Sequence, residues 1–218
     1  MGNYRKLTTW LNGYYNYTVV LTYTGMLIGF FGVLNAFNEH YDAALICLML
    51  AGLCDMFDGA VASTKERDEQ EKKFGIQIDS LSDLICFGVF PAMFVSLICE
   101  GSRFSILCSG VYVLCALIRL AYFNVCEEER QKEETGSRKY YEGLPVTSAA
   151  LLLPACYLLE GVIPSPTMQS FSFLLLAMAI AFILPFRLPK PHLAGKLVMV
   201  VTGAVLFGLL ITGLGASV

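Results

Sequence analysis

Charged residues almost never interrupt the long apolar runs of this chain, and that constrains its fold more than any other feature. A helix crossing the roughly 30 Å hydrocarbon core of a bilayer needs about 20 mostly apolar residues. Seven stretches approach that requirement: Tyr17–Phe37, Ala43–Ser63, Ile76–Cys99, Phe104–Val125, Leu144–Val162, Ser170–Pro185 and Leu193–Val218. The sixth is short, and the seventh is interrupted by Gly203, Gly208, Gly213 and Gly215. The expected fold is an all-α membrane protein, a polytopic bundle of six to eight transmembrane helices. No composition shift divides the chain, so residues 1–218 read as one integral-membrane domain. Residues 1–16, with Arg5, Lys6, Trp10, Tyr14 and Tyr15, read as a short helix lying in the membrane interface.

Composition agrees and excludes other classes. Hydrophobic residues make up 56% and charged residues 15%, with a mean hydropathy of +0.62. Soluble domains run at roughly 45–50% and 25%. A net charge of −3 gives no electrostatic footprint for nucleic acid. The eight cysteines are scattered through apolar segments without paired spacing, and read as small packing residues. Thirteen of the fifteen Lys and Arg residues fall on one side of the seven-span topology; Arg103 lies on the other side and Arg119 within a span. The positive-inside rule then places the N-terminus and the charged segments Thr64–Gly75 and Cys126–Gly143 in the cytoplasm, with the protein in the cell membrane.

The chemistry concentrates in residues 43–99. Asp55 and Asp58, spaced i, i+3, share one side of the second span near its cytoplasmic end. Asp79 and Asp83, spaced i, i+4, open the third. The chain has six aspartates and four of them fall here. An acidic residue in a span costs about 2.5–3.5 kcal/mol at the helix centre, and four together repel one another unless cations sit between them. Clustered hard oxygen ligands suit Mg²⁺, Mn²⁺ or Ca²⁺ rather than zinc, and two such ions bridged by carboxylates are a known device of phosphoryl chemistry. The small residues Gly59, Ala62 and Gly75 would let a phosphate and a nucleotide approach the backbone.

The text Asp55-Met-Phe-Asp58-Gly59-Ala-Val-Ala62, followed by Gly75-Ile-Gln-Ile-Asp79-Ser-Leu-Ser-Asp83, resembles the DxxDGxxA…GxxxDxxxD signature of the CDP-alcohol phosphotransferase family. IDSLSDLICFGVFPA, IRLAYFNV and YYEGLPVTSAA are similar to its phosphatidylserine-synthase branch. The resemblance implies transfer of the phosphatidyl group from CDP-diacylglycerol to L-serine, dependent on Mg²⁺ or Mn²⁺ as one or two ions, by a homodimer among membrane lipids. It implies that Asp55, Asp58, Asp79 and Asp83 hold the metal and that Asp83 takes the proton of the serine hydroxyl. Asp58, Gly59, Ala62, Ser63 and Gly75 would line the CDP site.

One departure stands out: the family's DGxxAR becomes Asp58-Gly59-Ala-Val-Ala62-Ser63, and a serine brings no charge to the nucleotide's phosphates. Lys65, Arg67, Lys72 and Lys73 are the nearby cations. Arg119, inside the fourth span, and Asn124 are candidates for binding the acceptor. A phosphate-bearing acceptor (glycerol phosphate or inositol phosphate), an archaeal ether lipid and an inactive scaffold all stay open. A cation transporter fits less well, because its site belongs near the midplane between repeats.

Overall fold

The computed structural model describes residues 13–133, 140–162, 169–189 and 193–213. Helix α1 spans Tyr17–Phe37, α2 Tyr41–Ala62, α3 Glu69–Asp83, α4 Phe90–Ile98, α5 Arg103–Glu133, α6 Ala149–Glu160, α7 Gln169–Ile183 and α8 Leu193–Ile211. Helices α3 and α4 are one continuous rod, joined by a wider π turn at Leu84–Val89, so the described residues hold seven apolar helical segments. Four of these are long and apolar enough to cross a membrane, over Tyr17–Phe37, Tyr41–Ala62, Glu69–Ile98 and Arg103–Glu128. The other three, Val146–Glu160, Gln169–Ile183 and Val198–Ile211, are shorter. This is a polytopic membrane bundle, as the apolar runs require. The interfacial helix expected over residues 1–16 falls almost wholly outside the described residues.

Two boundaries differ from expectation. The charged segments expected as loops are largely helix: α3 begins at Glu69, and α5 continues to Glu133. Asp68 caps α3, its side chain accepting from the Glu71 backbone N–H at 2.7 Å, and Glu69 and Glu71 favour the positive end of the helix dipole. There is also a small antiparallel ribbon, Tyr140–Glu142 (β1) with Arg187–Pro189 (β2), in a chain expected to be all helix.

α1 is held in place by its small residues. Thr18, Thr22, Gly25, Gly29, Gly32 and Ala36 form its buried stripe, the arrangement that lets helices approach closely in a membrane. A methyl group built on Gly32 would lie 2.5 and 2.6 Å from Phe90 ring carbons and 2.9 Å from Cys47 Cβ. Gly32→Ala is therefore expected to destabilise the detergent-solubilised protein by about 1–3 kcal/mol, read as a lower melting temperature. Gly110, with nothing within 4 Å of such a methyl, should tolerate alanine or gain slightly.

The π turn has an identifiable cause. Pro91 carries no N–H, so the Phe87 carbonyl four residues earlier loses its ordinary donor. Tyr112 of α5, fully buried, donates its hydroxyl to that carbonyl at 2.6 Å. Ser109 donates to the Ala92 carbonyl at 3.0 Å and Ser105 to the Val95 carbonyl at 3.3 Å, which ties α4 to α5 along its length. The buried core of the bundle takes in Leu45 and Leu48 of α2, Phe87, Phe90 and Phe94 of the π turn and α4, Leu153 of α6, and Phe171 and Leu175 of α7.

Candidate active site

The carboxylates come from two neighbouring helices. Asp55 and Asp58 lie in the last two turns of α2, and Asp79 and Asp83 in the last turns of α3 before the π turn. Oxygen atoms from Asp55, Asp58 and Asp79 all lie within 4.8 Å of one another. Asp83 stands outside that trio but within hydrogen-bonding reach of Asp55, and Asp79 within reach of Asp58. Four carboxyl groups this close repel one another in the absence of a cation. Three convergent hard oxygen donors fit a divalent ion of the Mg²⁺ type, so the residues present suit the group that the resemblance implies.

The cleft around them is lined by Thr22 and Gly25 of α1, Ala51, Cys54, Asp55 and Asp58 of α2, and Asp79, Ser82, Asp83, Cys86 and Phe87 of the third rod. Thr22 was not anticipated from the sequence. Its hydroxyl donates to Asp58 Oδ2 at 3.0 Å, which fixes the rotamer of that carboxylate from a third helix. The signal was a buried threonine in register with the glycine stripe of α1. Cys86 sits over that stripe, its thiol 3.7 Å from the Gly25 carbonyl.

The remaining candidates divide. Gly59 is open, with nothing within 4 Å of where a methyl would stand, so a ligand can reach the backbone there. Ala62 closes α2, and Ser63 is exposed with its hydroxyl turned back onto the Ala60 carbonyl at 2.7 Å. Gly75 lies one turn before Asp79 on α3 and is covered by Arg67: a methyl on Gly75 would lie 3.0 Å from Arg67 Nη1. Asn124 of α5 reaches α3, where its side-chain oxygen accepts from the Ser80 hydroxyl at 2.9 Å, beside Asp79. Arg119 is buried within the bundle, its guanidinium 6.0 Å from the centre of the Phe123 ring, and does not line the carboxylate cleft.

A polar knot ties together the segments next to the carboxylate-bearing helices. Tyr14 packs on Phe74 at 5.3 Å and donates to Gln70 Oε1 at 3.1 Å. Asn16 and Lys65 both donate to Glu71 Oε1, at 3.3 and 3.2 Å, and the Tyr17 and Thr64 hydroxyls meet at 3.1 Å. Asn16 also caps α1 through Thr18. The start of α1, the α2–α3 connection and the first turns of α3 are thereby tied into one unit.

Comparison with known proteins agrees with this geometry. The sequence profile described as CDP-alcohol phosphatidyltransferase matches residues 15–206, which takes in all four carboxylates. A CDP-diacylglycerol–serine O-phosphatidyltransferase of Saccharomyces cerevisiae is 35% identical over 160 residues, covering 72% of this chain and 53% of the yeast protein. An archaetidylserine synthase of Methanothermobacter thermautotrophicus is 33% identical over 163 residues, covering 74% of this chain and 64% of that protein. A Helicobacter pylori CDP-diacylglycerol–serine O-phosphatidyltransferase is 28% identical over 154 residues, 69% of this chain and 61% of its own. The chain thus spans between about half and two thirds of the length of these relatives. With the profile covering most of the chain and the signature carboxylates meeting across two helices, the chain belongs to the CDP-alcohol phosphatidyltransferase family.

Proposed function

We propose that this protein transfers the phosphatidyl group of CDP-diacylglycerol to the hydroxyl of L-serine, giving phosphatidylserine and CMP. The observation that carries the reading is the meeting of Asp55 and Asp58 from α2 with Asp79 from α3. It puts a hard-cation site beside the open backbone of Gly59, where a pyrophosphate can approach. The activities for which the yeast and Helicobacter pylori relatives are named support serine as the acceptor.

Asp55, Asp58 and Asp79 would hold Mg²⁺ or Mn²⁺, one ion or two, with Asp83 completing the set. Such an ion, when bound, offsets the charge of the pyrophosphate and stabilises CMP as a leaving group. Thr22 orients Asp58 by its hydrogen bond. Asp83, within hydrogen-bonding reach of Asp55, takes the proton of the serine hydroxyl. The serine oxygen bonds to the phosphorus that carries diacylglycerol, the bond from that phosphorus to the CMP oxygen breaks, and CMP leaves with the electron pair. Gly59, Ala62, Ser63 and Gly75 line the CDP side. Asn124, linked to α3 through Ser80, and Arg119, a cation kept within the bundle at a cost that function would justify, serve the acceptor.

The cation-rich ends of the helices support an N-terminus and active site facing the cytoplasm at the cell membrane, and the resemblance supports a homodimer. The likeness to an archaetidylserine synthase supports a second lipid, the archaeal ether analogue, with the same head-group chemistry.

The test is CMP release by the purified full chain with serine, glycerol 3-phosphate and inositol phosphate in separate reactions. Serine is expected to exceed either phosphate-bearing acceptor by at least about tenfold, the scale of discrimination a polar pocket readily supplies. Equal or greater release with a phosphate-bearing acceptor would contradict the assignment.

A further inference from the structure

Ser63 leaves the cleft without the arginine that the signature leads one to expect after Ala62, and the question is what supplies positive charge to the nucleotide's phosphates. The chain offers four cations between α2 and the middle of α3: Lys65, Arg67, Lys72 and Lys73. Their placements differ sharply. Lys65 is spent on Glu71, at 3.2 Å. Lys72 and Lys73 are exposed on the first turns of α3. Arg67 alone of the four is folded back onto the motif, its Nη1 close enough to Gly75 that a methyl there would be 3.0 Å away.

Gly75 and Asp79 are one turn apart on the same face of α3, so the guanidinium lies about one helical turn from Asp79, toward the α2–α3 connection. Among the described residues Arg67 enters no ion pair or hydrogen bond, whereas the neighbouring Lys65 does. The knot of Tyr14, Asn16, Lys65 and Glu71 holds the connection that carries Arg67 in place. The glycine at 75 gives the guanidinium room to lie against the helix backbone.

We infer that Arg67 takes over the role of the missing arginine: its guanidinium binds the phosphates of the cytidine nucleotide beside the carboxylate cleft, from a position four residues further along the chain. The inference rests on the proposed CDP-dependent reaction but concerns nucleotide binding alone. Arginine suits the task because its planar fork can donate two hydrogen bonds to one phosphate, which a lysine ammonium cannot match. Ser63, exposed and with its hydroxyl bonded to its own helix, brings no charge to those phosphates.

The experiment is titration of the full-length protein in detergent with CDP, in the presence of Mg²⁺ or Mn²⁺ and without acceptor. Arg67→Gln is expected to weaken CDP binding about 10–100-fold, the range for losing a hydrogen-bonded charge on a charged partner. Arg67→Lys should fall between the two, and Ser63→Arg added to Arg67→Gln should recover most of the loss. Lys72→Gln and Lys73→Gln should stay within about twofold of the parent protein, as exposed charges do. Unchanged binding in Arg67→Gln, equal losses at all three positions, or a parent protein that does not bind CDP would each overturn the inference. A parent that binds CDP through Arg67 yet transfers nothing to serine would instead sink the serine reading and leave this one standing.

Discussion

Asp83→Asn protein is expected to release CMP from CDP-diacylglycerol and serine about 10²–10⁴-fold more slowly than the parent, the span assigned to a lost general base. The carboxamide has nearly the shape of the carboxyl group but cannot take up the serine proton. It also removes one negative charge from a cluster in which Asp83 and Asp55 are within hydrogen-bonding reach. The variant should therefore fold as well as the parent, with an equal or higher melting temperature. Asp42→Asn provides the contrast. Asp42 is thirteen residues before Asp55 on α2, about 20 Å along the helix axis, and it partners Tyr157 rather than the cleft. Its turnover should match the parent's. Full activity in Asp83→Asn would show that another group takes the proton.

Removal of metal is the second large effect. Chelation by EDTA should abolish transfer, and added Mg²⁺ or Mn²⁺ should restore it. Asp58→Asn, which deletes one of the three convergent ligands, should need more than about 100-fold higher metal for half-maximal activity. Thr22→Val keeps the ligand but removes the 3.0 Å hydrogen bond that orients it, and should raise the requirement by about 10–100-fold, the usual range for partners of metal ligands. The graded pair separates the two possibilities for Thr22. A merely structural threonine would lower the melting temperature without changing the metal requirement.

Much of this architecture is legible in the sequence, for reasons that are local. A bilayer demands about 20 apolar residues per helix, so the spans announced themselves, and Tyr17–Phe37 matches α1 at both ends. Asp55 and Asp58 needed only helical spacing to be placed on one face. The rest depends on other signals or on residues distant in the chain. Asp68 and Glu71 are spaced as a helix-capping pair, yet the density of charge around them read as loop. The π turn follows from Pro91, but its carbonyl is satisfied by Tyr112 of another helix, which no local pattern reveals. The ribbon pairs Tyr140–Glu142 with Arg187–Pro189 across two helices. Thr22 and Arg67 entered the site only once α1 and the α2–α3 connection had been folded onto it. The carboxylates themselves were legible; the groups that orient and complement them were not.

The proposed reaction is metal-dependent phosphatidyl transfer to serine, driven by the carboxylates of α2 and α3. Incorporation of labelled serine into lipid by the purified full chain tests it most directly. The expected result is chloroform-soluble label that requires both CDP-diacylglycerol and a divalent cation, with one CMP released for each serine incorporated. Label that forms without the cation, or CMP release that leaves serine in the aqueous phase, would contradict it.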